Sequence, residues 1–302
     1  MSWKRRFGLV VVALLLVWLF LATLPAPVSF PHPFFSSHPR ARQSLPQAIA
    51  HRGGWGLWPE HTVDGYQRAV SLGVDALELD VRPSADGVLV VFHDRKVDRV
   101  TEAQGAVASL SLAKLQSLDA GYDWSADDGA THPFRGQGLS IPTLAEVLSA
   151  FPDQYMTIEL KTDDAASAEQ LCGLLRDFDH EERAIVAAFK TESLDAFRQA
   201  CPNTATSASS TEGMAYWVLH LLRLDVLAST EFEAFQVPPT LGPLPVVDRR
   251  FVQVTQGRGI PVQVWTIDEK EEMERLIELG VQGIITRRPD RLTQVLDNLR
   301  RP

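Results

Sequence analysis

The chain has 302 residues, 45% of them hydrophobic and 22% charged, and a formal net charge of −9. That length holds one α/β barrel of about 250 residues plus an N-terminal extension, and an acidic body without a basic stripe excludes a sequence-independent grip on nucleic acid. Two cysteines, Cys172 and Cys201, make neither a disulfide scaffold nor a zinc site; they are expected as half-buried thiols, with a single disulfide as the alternative in an oxidising compartment.

Residues 1–6 form a basic tail ending in Lys4, Arg5 and Arg6. The uncharged apolar run Phe7–Leu24 follows, close to the roughly 20 residues that span hydrocarbon as a helix. No further basic residue occurs before Arg40, so the positive charge lies ahead of the span. This predicts a single-pass anchor with its N-terminus cytoplasmic and the catalytic domain exported. A cleaved signal peptide is the rival reading. Its best cut follows Ala26, but Pro27 comes next and Leu24 is bulky where a small residue is needed. Residues 25–47 are rich in Pro, Ser and His, lack periodicity and predict an extended tether.

From Ala48 to the end, β-type runs alternate with amphipathic stretches. The strand candidates are Ala48–His51, Ala76–Val81, Val88–His93, Met156–Leu160, Ala184–Phe189, Ala205–Ala208, Ala234–Val237, Val262–Trp265 and Gly283–Thr286. The helices between them have legible ends. Thr62 is placed to cap one that stops at Gly73, while Thr143 with Glu146, and Asp268 with Glu271, have capping-box spacing. Pro289 sits where a first-turn proline is tolerated. The alternation predicts a parallel sheet wrapped by helices, with one candidate too many for an eight-stranded barrel. Residues 94–142 break the pattern and are long for a connection, as functional loops are. The apolar segment Met214–Leu222 predicts either a buried barrel helix or a lip that contacts lipid.

The chemistry concentrates between His51 and Asp94. Glu78 and Asp80 are two apart on a strand and share a face, flanked by Leu77, Leu79 and Val81. Paired carboxylates repel and are costly to bury, and a divalent cation resolves that cost; oxygen ligands suit Ca²⁺ or Mg²⁺. Solvated carboxylates at a barrel rim are the plainer alternative. A turn at Ala85–Asp86 sets Glu78 across from His93, and a turn at Asp86–Gly87 sets Asp80 there; either register puts His93 beside the carboxylates. His51 and Arg52 end the first strand before Gly53 and Gly54, offering a proton carrier, a forked phosphate ligand and room for close approach. Glu159 and Lys161 share a face at a later strand end and add a third carboxylate and a point cation.

In order, His51-Arg52-Gly53, Pro59-Glu60-His61-Thr62, Glu78-Leu79-Asp80-Val81, Asp86-Gly87 and His93-Asp94 resemble the motif series of the glycerophosphodiester phosphodiesterase family. Asp119-Ala120-Gly121, Ile141-Pro142-Thr143-Leu144, Ile158-Glu159-Leu160-Lys161, Val264-Trp265-Thr266 and Gly283-Ile284-Ile285-Thr286 extend the likeness over roughly residues 48–295. The resemblance implies an α/β TIM barrel, residues 48–302, with an insertion after the third strand. It implies hydrolysis of a glycerophosphodiester to glycerol phosphate and an alcohol, with one divalent cation, Ca²⁺ or Mg²⁺. His51 and His93 match the family's acid/base histidines, Glu78, Asp80 and Glu159 its metal ligands, Arg52 and Lys161 its phosphate contacts, and Trp265 an aromatic near the substrate. His61 departs from the usual Asn, and Arg287 from the usual Asp. The substrate is expected to be a small phosphodiester or a lysolipid. The rival readings are a lysophospholipase D, favoured by the anchor and the segment around Trp217, and an inactive tethered lipid-binding module, which the intact polar set opposes.

Overall fold

A computed structural model describes residues 3–24, 28, 32–36 and 45–300. The strands are β1 (Gln47–Ala50), β2 (Ala76–Pro83), β3 (Leu89–Val91), β4 (Tyr155–Leu160), β5 (Ala184–Ala187), β6 (Ala205–Thr206), β7 (Phe235–Val237), β8 (Thr240–Leu241), β9 (Leu244–Pro245), β10 (Val262–Val264) and β11 (Gly283–Thr286). Their parallel order runs β6-β5-β4-β2-β1-β11-β10-β7. A parallel bridge between Ser207 and Ala234 brings the two ends together, reinforced by Ala208 N–H donating to the Ala234 carbonyl at 2.9 Å. Eight parallel strands thus close a TIM barrel.

All nine strand candidates are strands. The surplus one is β3, which pairs antiparallel with β2 and stays outside the barrel. The insertion therefore follows the third strand of the chain but only the second of the barrel. It is not a bare loop. Val90, Phe92, Val97, Leu115, Leu118 and Ile141 form a small core of its own.

The helices are α1 (Trp3–Thr23), α2 (Pro33–Ser36), α3 (Val63–Ser71), α4 (Leu112–Gln116), α5 (Leu144–Ala150), α6 (Ala165–Asp177), α7 (Thr191–Ala200), α8 (Ser210–Leu221), α9 (Arg249–Gly257), α10 (Lys270–Leu279) and α11 (Pro289–Arg300). Helix α1 contains the one stretch among the described residues long and apolar enough to cross a membrane, Arg6–Thr23, and none of it is buried. Thr62 caps α3, accepting from Gly65 N–H at 3.0 Å, and Thr143 with Glu146 closes its capping box. The box at Asp268 does not form. The side chain of Asp268 turns away to Arg287, and Glu269 precedes α10 without a side-chain cap.

Leu77, Leu79 and Val81 of β2 pack outward against α3, α5 and α6, together with Met156, Ile158 and Leu160 of β4. Strand alternation then turns Glu78, Asp80 and Glu159 inward. Midway along the barrel the interior is polar. Gln263 donates to Gln47 at 2.9 Å, and Gln236 donates to Gln263 at 2.7 Å. Gly283 makes room for this layer, because a Cβ there would lie 2.7 Å from Gln263 Cγ.

Two expectations need correction. The tether is not extended throughout: Phe34 is fully buried against Ile185, Ala205 and Ala234, and its ring meets Tyr155 edge-on at 5.4 Å. These partners start β4–β7, so Phe34 closes the barrel floor; the flanking residues 29–31 and 37–44 lie outside the described residues. The cysteines are not thiols. Cys172 of α6 and Cys201 after α7 are joined in a disulfide, because the two helices pack side by side with these Cα atoms 5.5 Å apart.

Candidate active site

Beyond β1 the chain turns sharply. Arg52 has φ of 50°, and Gly53 and Gly54 have φ of 80° and 91°. Gly54 is also required by contact, since a Cβ there would lie 2.8 Å from Pro289 Cγ. The turn folds back so that Arg52 N–H donates to Glu78 Oε2 at 2.9 Å. His51 Nε2 comes within 3.8 Å of the same oxygen. On its other side, Trp55 Nε1–H donates to His51 Nδ1 at 3.3 Å. A tryptophan only donates, so the neutral ring of His51 carries its proton on Nε2.

Strand β2 supplies Glu78 and Asp80, and β4 places Glu159 directly beside Asp80. Oxygens of these three carboxylates lie within 4.8 Å of one another. Lys161 Nζ stands 3.1 Å from Asp80 Oδ1 and 2.6 Å from Glu159 Oε1. Arg52 Nε, buried without a hydrogen bond, is 3.4 Å from Asp80 Oδ2. Burial, then the charge of Asp80, pushes Glu78 well above the carboxylate range and Glu159 up to about 7. For Asp80 burial acts in the same direction, but the hydrogen bond from His61 and the charges of His61, Lys161 and Arg52 hold it far below. Three carboxyl groups thus face only two cations, Arg52 and Lys161, and Glu78 and Glu159 hold their protons more tightly than free carboxyls do. A hard divalent ion fits that donor set.

His93 reaches the site by another route than expected. The turn spans Ser84–Gly87, with Ser84 N–H donating to the Val88 carbonyl, and the register pairs Val81 with Val91. Strict alternation in this register would direct His93 away from Glu78 and Asp80. The strand ends at Val91, and the chain then bends His93 into the cavity. Arg82 holds this bend, donating to the His93 carbonyl at 2.8 Å and to the Lys161 carbonyl at 3.1 Å. His93 Nδ1 pairs with Asp94 Oδ1 at 2.6 Å. Burial is the largest influence on His93 and lowers its pKa, against the pull of Asp80 and Asp94.

One cavity of about 440 Å³ is lined by all eight residues singled out in the sequence: His51, Arg52, Glu78, Asp80, His93, Glu159, Lys161 and Trp265. Its opposite wall is apolar, with Phe189, Met214, Trp217, Leu241 and Val246. Sequence reasoning missed the supports. Glu60 takes hydrogen bonds from Arg52 at 3.2 Å and Arg99 at 2.8 Å, and Arg99 also holds Asp94 at 2.7 Å. Glu60 and Asp94 stood inside recognised motifs, and Arg82 follows Asp80 by two on the same face; Arg99 gave no signal. His61 is buried and spans Asp80 Oδ2 at 2.9 Å and the Tyr66 hydroxyl at 2.8 Å. It supports a carboxylate from behind. Arg287 pairs with Asp268 and lies 5.0 Å over the Trp55 ring, which gives its presence here a structural reason.

Residues 51–291 match the model of the glycerophosphoryl diester phosphodiesterase family. The chain belongs to that family. A glycerophosphodiester phosphodiesterase of Caldanaerobacter subterraneus subsp. tengcongensis is 33% identical over 253 residues, covering 82% of this chain and 96% of that relative. One from Bacillus subtilis is 30% identical over 263 residues, 80% of this chain and 83% of its own length. A glycerophosphoryl diester phosphodiesterase domain from Mycobacterium tuberculosis superposes with a TM-score of 0.75 at 20% identity, over 84% of this chain and 99% of that one. An Oleispira antarctica phosphodiesterase, solved with the product sn-glycerol-3-phosphate, superposes with a TM-score of 0.68 at 23% identity, over 85% and 99%. These last two likenesses show the shared fold. As a member of the glycerophosphoryl diester phosphodiesterases, the chain is a phosphoric diester hydrolase.

Proposed function

We propose that this phosphodiesterase hydrolyses glycerophosphodiesters to glycerol phosphate and an alcohol, using one divalent cation, Ca²⁺ or Mg²⁺, held by Glu78, Asp80 and Glu159. The observation that carries this reading is the convergence of three carboxylates, Arg52, Lys161 and two histidines in one cavity. The Oleispira antarctica relative, whose structure holds sn-glycerol-3-phosphate, supports the substrate class. A bound cation supplies charge to polarise the phosphoryl oxygen.

The Arg52 guanidinium and Lys161 Nζ are the cations that meet the remaining phosphate oxygens. His93 is the base: with Asp94 accepting from Nδ1–H, its Nε2 lone pair takes the proton of the attacking oxygen as that oxygen bonds to phosphorus and the leaving P–O bond breaks, and Asp94 stabilises the imidazolium formed. His51 presents Nε2–H and hands a proton towards the leaving oxygen. Burial and then Arg52 keep its pKa at about 3, so it is neutral in the free enzyme. It acts as the acid once the anionic substrate raises that pKa and the ring takes up a solvent proton, and giving a proton to the leaving oxygen returns it to neutral imidazole. Trp265 borders the substrate, packed edge-on against Phe189 at 6.1 Å.

The enzyme works at a membrane surface, anchored by α1 with its N-terminus cytoplasmic and the barrel exported. Lys4, Arg5 and Arg6 ahead of the span support this orientation, as does a disulfide, which persists in oxidising compartments. The apolar wall favours lysophospholipids as a second substrate class. The test is release of choline from glycerophosphocholine by the full chain. Chelation should abolish it, and Ca²⁺ or Mg²⁺ should restore it. Undiminished release after exhaustive chelation would refute the reading.

A further inference from the structure

Exposed large apolar side chains are unevenly spread over the barrel domain. Outside residues 189–244, the described part of the domain exposes only Val63, Leu72 and Leu299. Within that stretch, α8 exposes Met214, Val218 and Leu221 and its C-cap adds Leu222, all at helical spacing on one face. The opposite face of α8 buries Tyr216, Trp217 and His220. The expected alternatives of core helix and lip are thus two faces of one helix. The β8–β9 hairpin lies against α8, with Trp217 Nε1–H donating to the Pro245 carbonyl at 3.3 Å, and adds exposed Leu241 and Leu244. Between Glu212 and Arg223 there is no Asp, Glu, Lys or Arg, and the one histidine there, His220, is buried.

The ridge has two ends, and both are informative. At one end Met214 and Leu241 line the mouth of the catalytic cavity. At the other, Trp18 Nε1–H of α1 donates to the Leu222 carbonyl at 2.9 Å. The exposed apolar side chains of this ridge therefore extend from the contact with the anchor helix at Leu222 to the active-site mouth at Met214. Whatever solvates the exposed apolar side chains of α1 also reaches Leu222 and, along α8, Val218 and Met214.

We infer that the exposed face of α8 and the tip of the β8–β9 hairpin are a membrane-seating surface that rests the barrel on its side in the bilayer interface, with the cavity mouth at the lipid surface. An exposed apolar ridge of this kind is costly in water and is stabilised by the headgroup–acyl boundary. A single-chain lipid would then pass from the bilayer along the ridge to the apolar wall without crossing water. This inference rests on the reading of α1 as a retained anchor.

The test uses the full chain in phosphatidylcholine–phosphatidylglycerol vesicles. With Cys172 and Cys201 paired, the described chain has no free thiol, so single cysteines at Val218, Leu244 and Leu72 take an environment-sensitive fluorophore selectively. Labels at positions 218 and 244 should emit to the blue and be quenched by lipids spin-labelled near the headgroup, and the label at position 72 should not. Equal, weak quenching at all three positions overturns the proposal. So does a label shielded from water but unquenched, with crosslinking between copies, because a second chain then covers the face. In a kinetic arm, Val218→Asp, Leu221→Asp and Leu244→Asp are combined. Turnover of water-soluble glycerophosphocholine should stay within about twofold, while cleavage of vesicle-borne lysophosphatidylcholine should fall by about tenfold. Equal loss on both substrates with lowered melting temperature makes the ridge structural and overturns the proposal. Absence of glycerophosphocholine turnover in the parent chain refutes the proposed function instead and leaves the quenching arm standing.

Discussion

Replacing Phe34 by alanine should destabilise the barrel and leave its chemistry alone. The side chain is fully buried among Ile185, Ala205 and Ala234, with ring contacts to Tyr155 at 5.4 Å and Phe35 at 4.8 Å. Four short strand ends meet here and have little freedom to collapse into the space a phenyl ring vacates. Truncating a buried Phe to Ala costs about 3–5 kcal/mol, of which each lost aromatic pair accounts for about 0.5–1.5 kcal/mol. For a domain of about 250 residues, each kcal/mol lowers the melting temperature by about 2–4 °C, so a fall of about 6–20 °C is expected. The catalytic rim lies at the far end of the same strands. Tyr155 and Glu159 are four residues apart on β4, a rise of about 13 Å. Turnover and KM measured well below the melting point should therefore match the parent chain. The assay is thermal unfolding of the full chain followed by circular dichroism, paired with choline release at 25 °C; Phe34→Leu should fall between the two proteins. A melting temperature lowered by less than about 2 °C would mean that residues 32–36 do not close the floor, and the segment would revert to a plain tether.

His93→Ala and His51→Ala should each cut turnover by about 10²–10⁴, the usual scale for losing an acid or base, without a fall in melting temperature; activity within a few-fold of the parent chain would remove that residue from the mechanism. His61→Ala removes the donor that orients Asp80, and titration calorimetry should show divalent-cation affinity weakened by about 10–100-fold; unchanged affinity would reduce His61 to packing. Cation binding should tighten as pH rises. Burial, then Asp80, raises Glu78 and lifts Glu159 to about 7, so below that pH the ion must displace protons. By the same sign, the raised carboxyl of Glu159 gives the metal-free protein a stabilising contribution that is full below its unfolded-state pKa and is lost as pH climbs through about 7. Affinity that stays flat between pH 5.5 and pH 7.5 would refute the carboxylates as ligands.

Much of this molecule is decided within a few residues of chain. Alternation along β2 and β4 places Glu78, Asp80 and Glu159 inward, because successive side chains of a strand must take opposite faces. The caps at Thr62 and Thr143 form because an oxygen three residues away is within reach of an unpaired helix N–H. The same locality explains the misses. The box at Asp268 has correct spacing, yet Arg287 and its backbone N–H, distant in sequence, compete for that carboxylate and take it. The three-residue turn after Ser84 shifts the hairpin by one position, so His93 owes its direction to the end of β3 and to Arg82 rather than to strand pairing.

What only the tertiary structure decided are the contacts that barrel closure creates. Phe34 becomes a floor because β4 to β7 begin together beneath the polar layer of Gln47, Gln236 and Gln263. Cys172 and Cys201 bond because α6 packs on α7. Arg99 joins Glu60 to Asp94 because the insertion folds over the rim. Side-chain periodicity reports which face a residue takes. It carries no information on which distant segment that face will meet, because closure of the barrel fixes that choice for all strands at once.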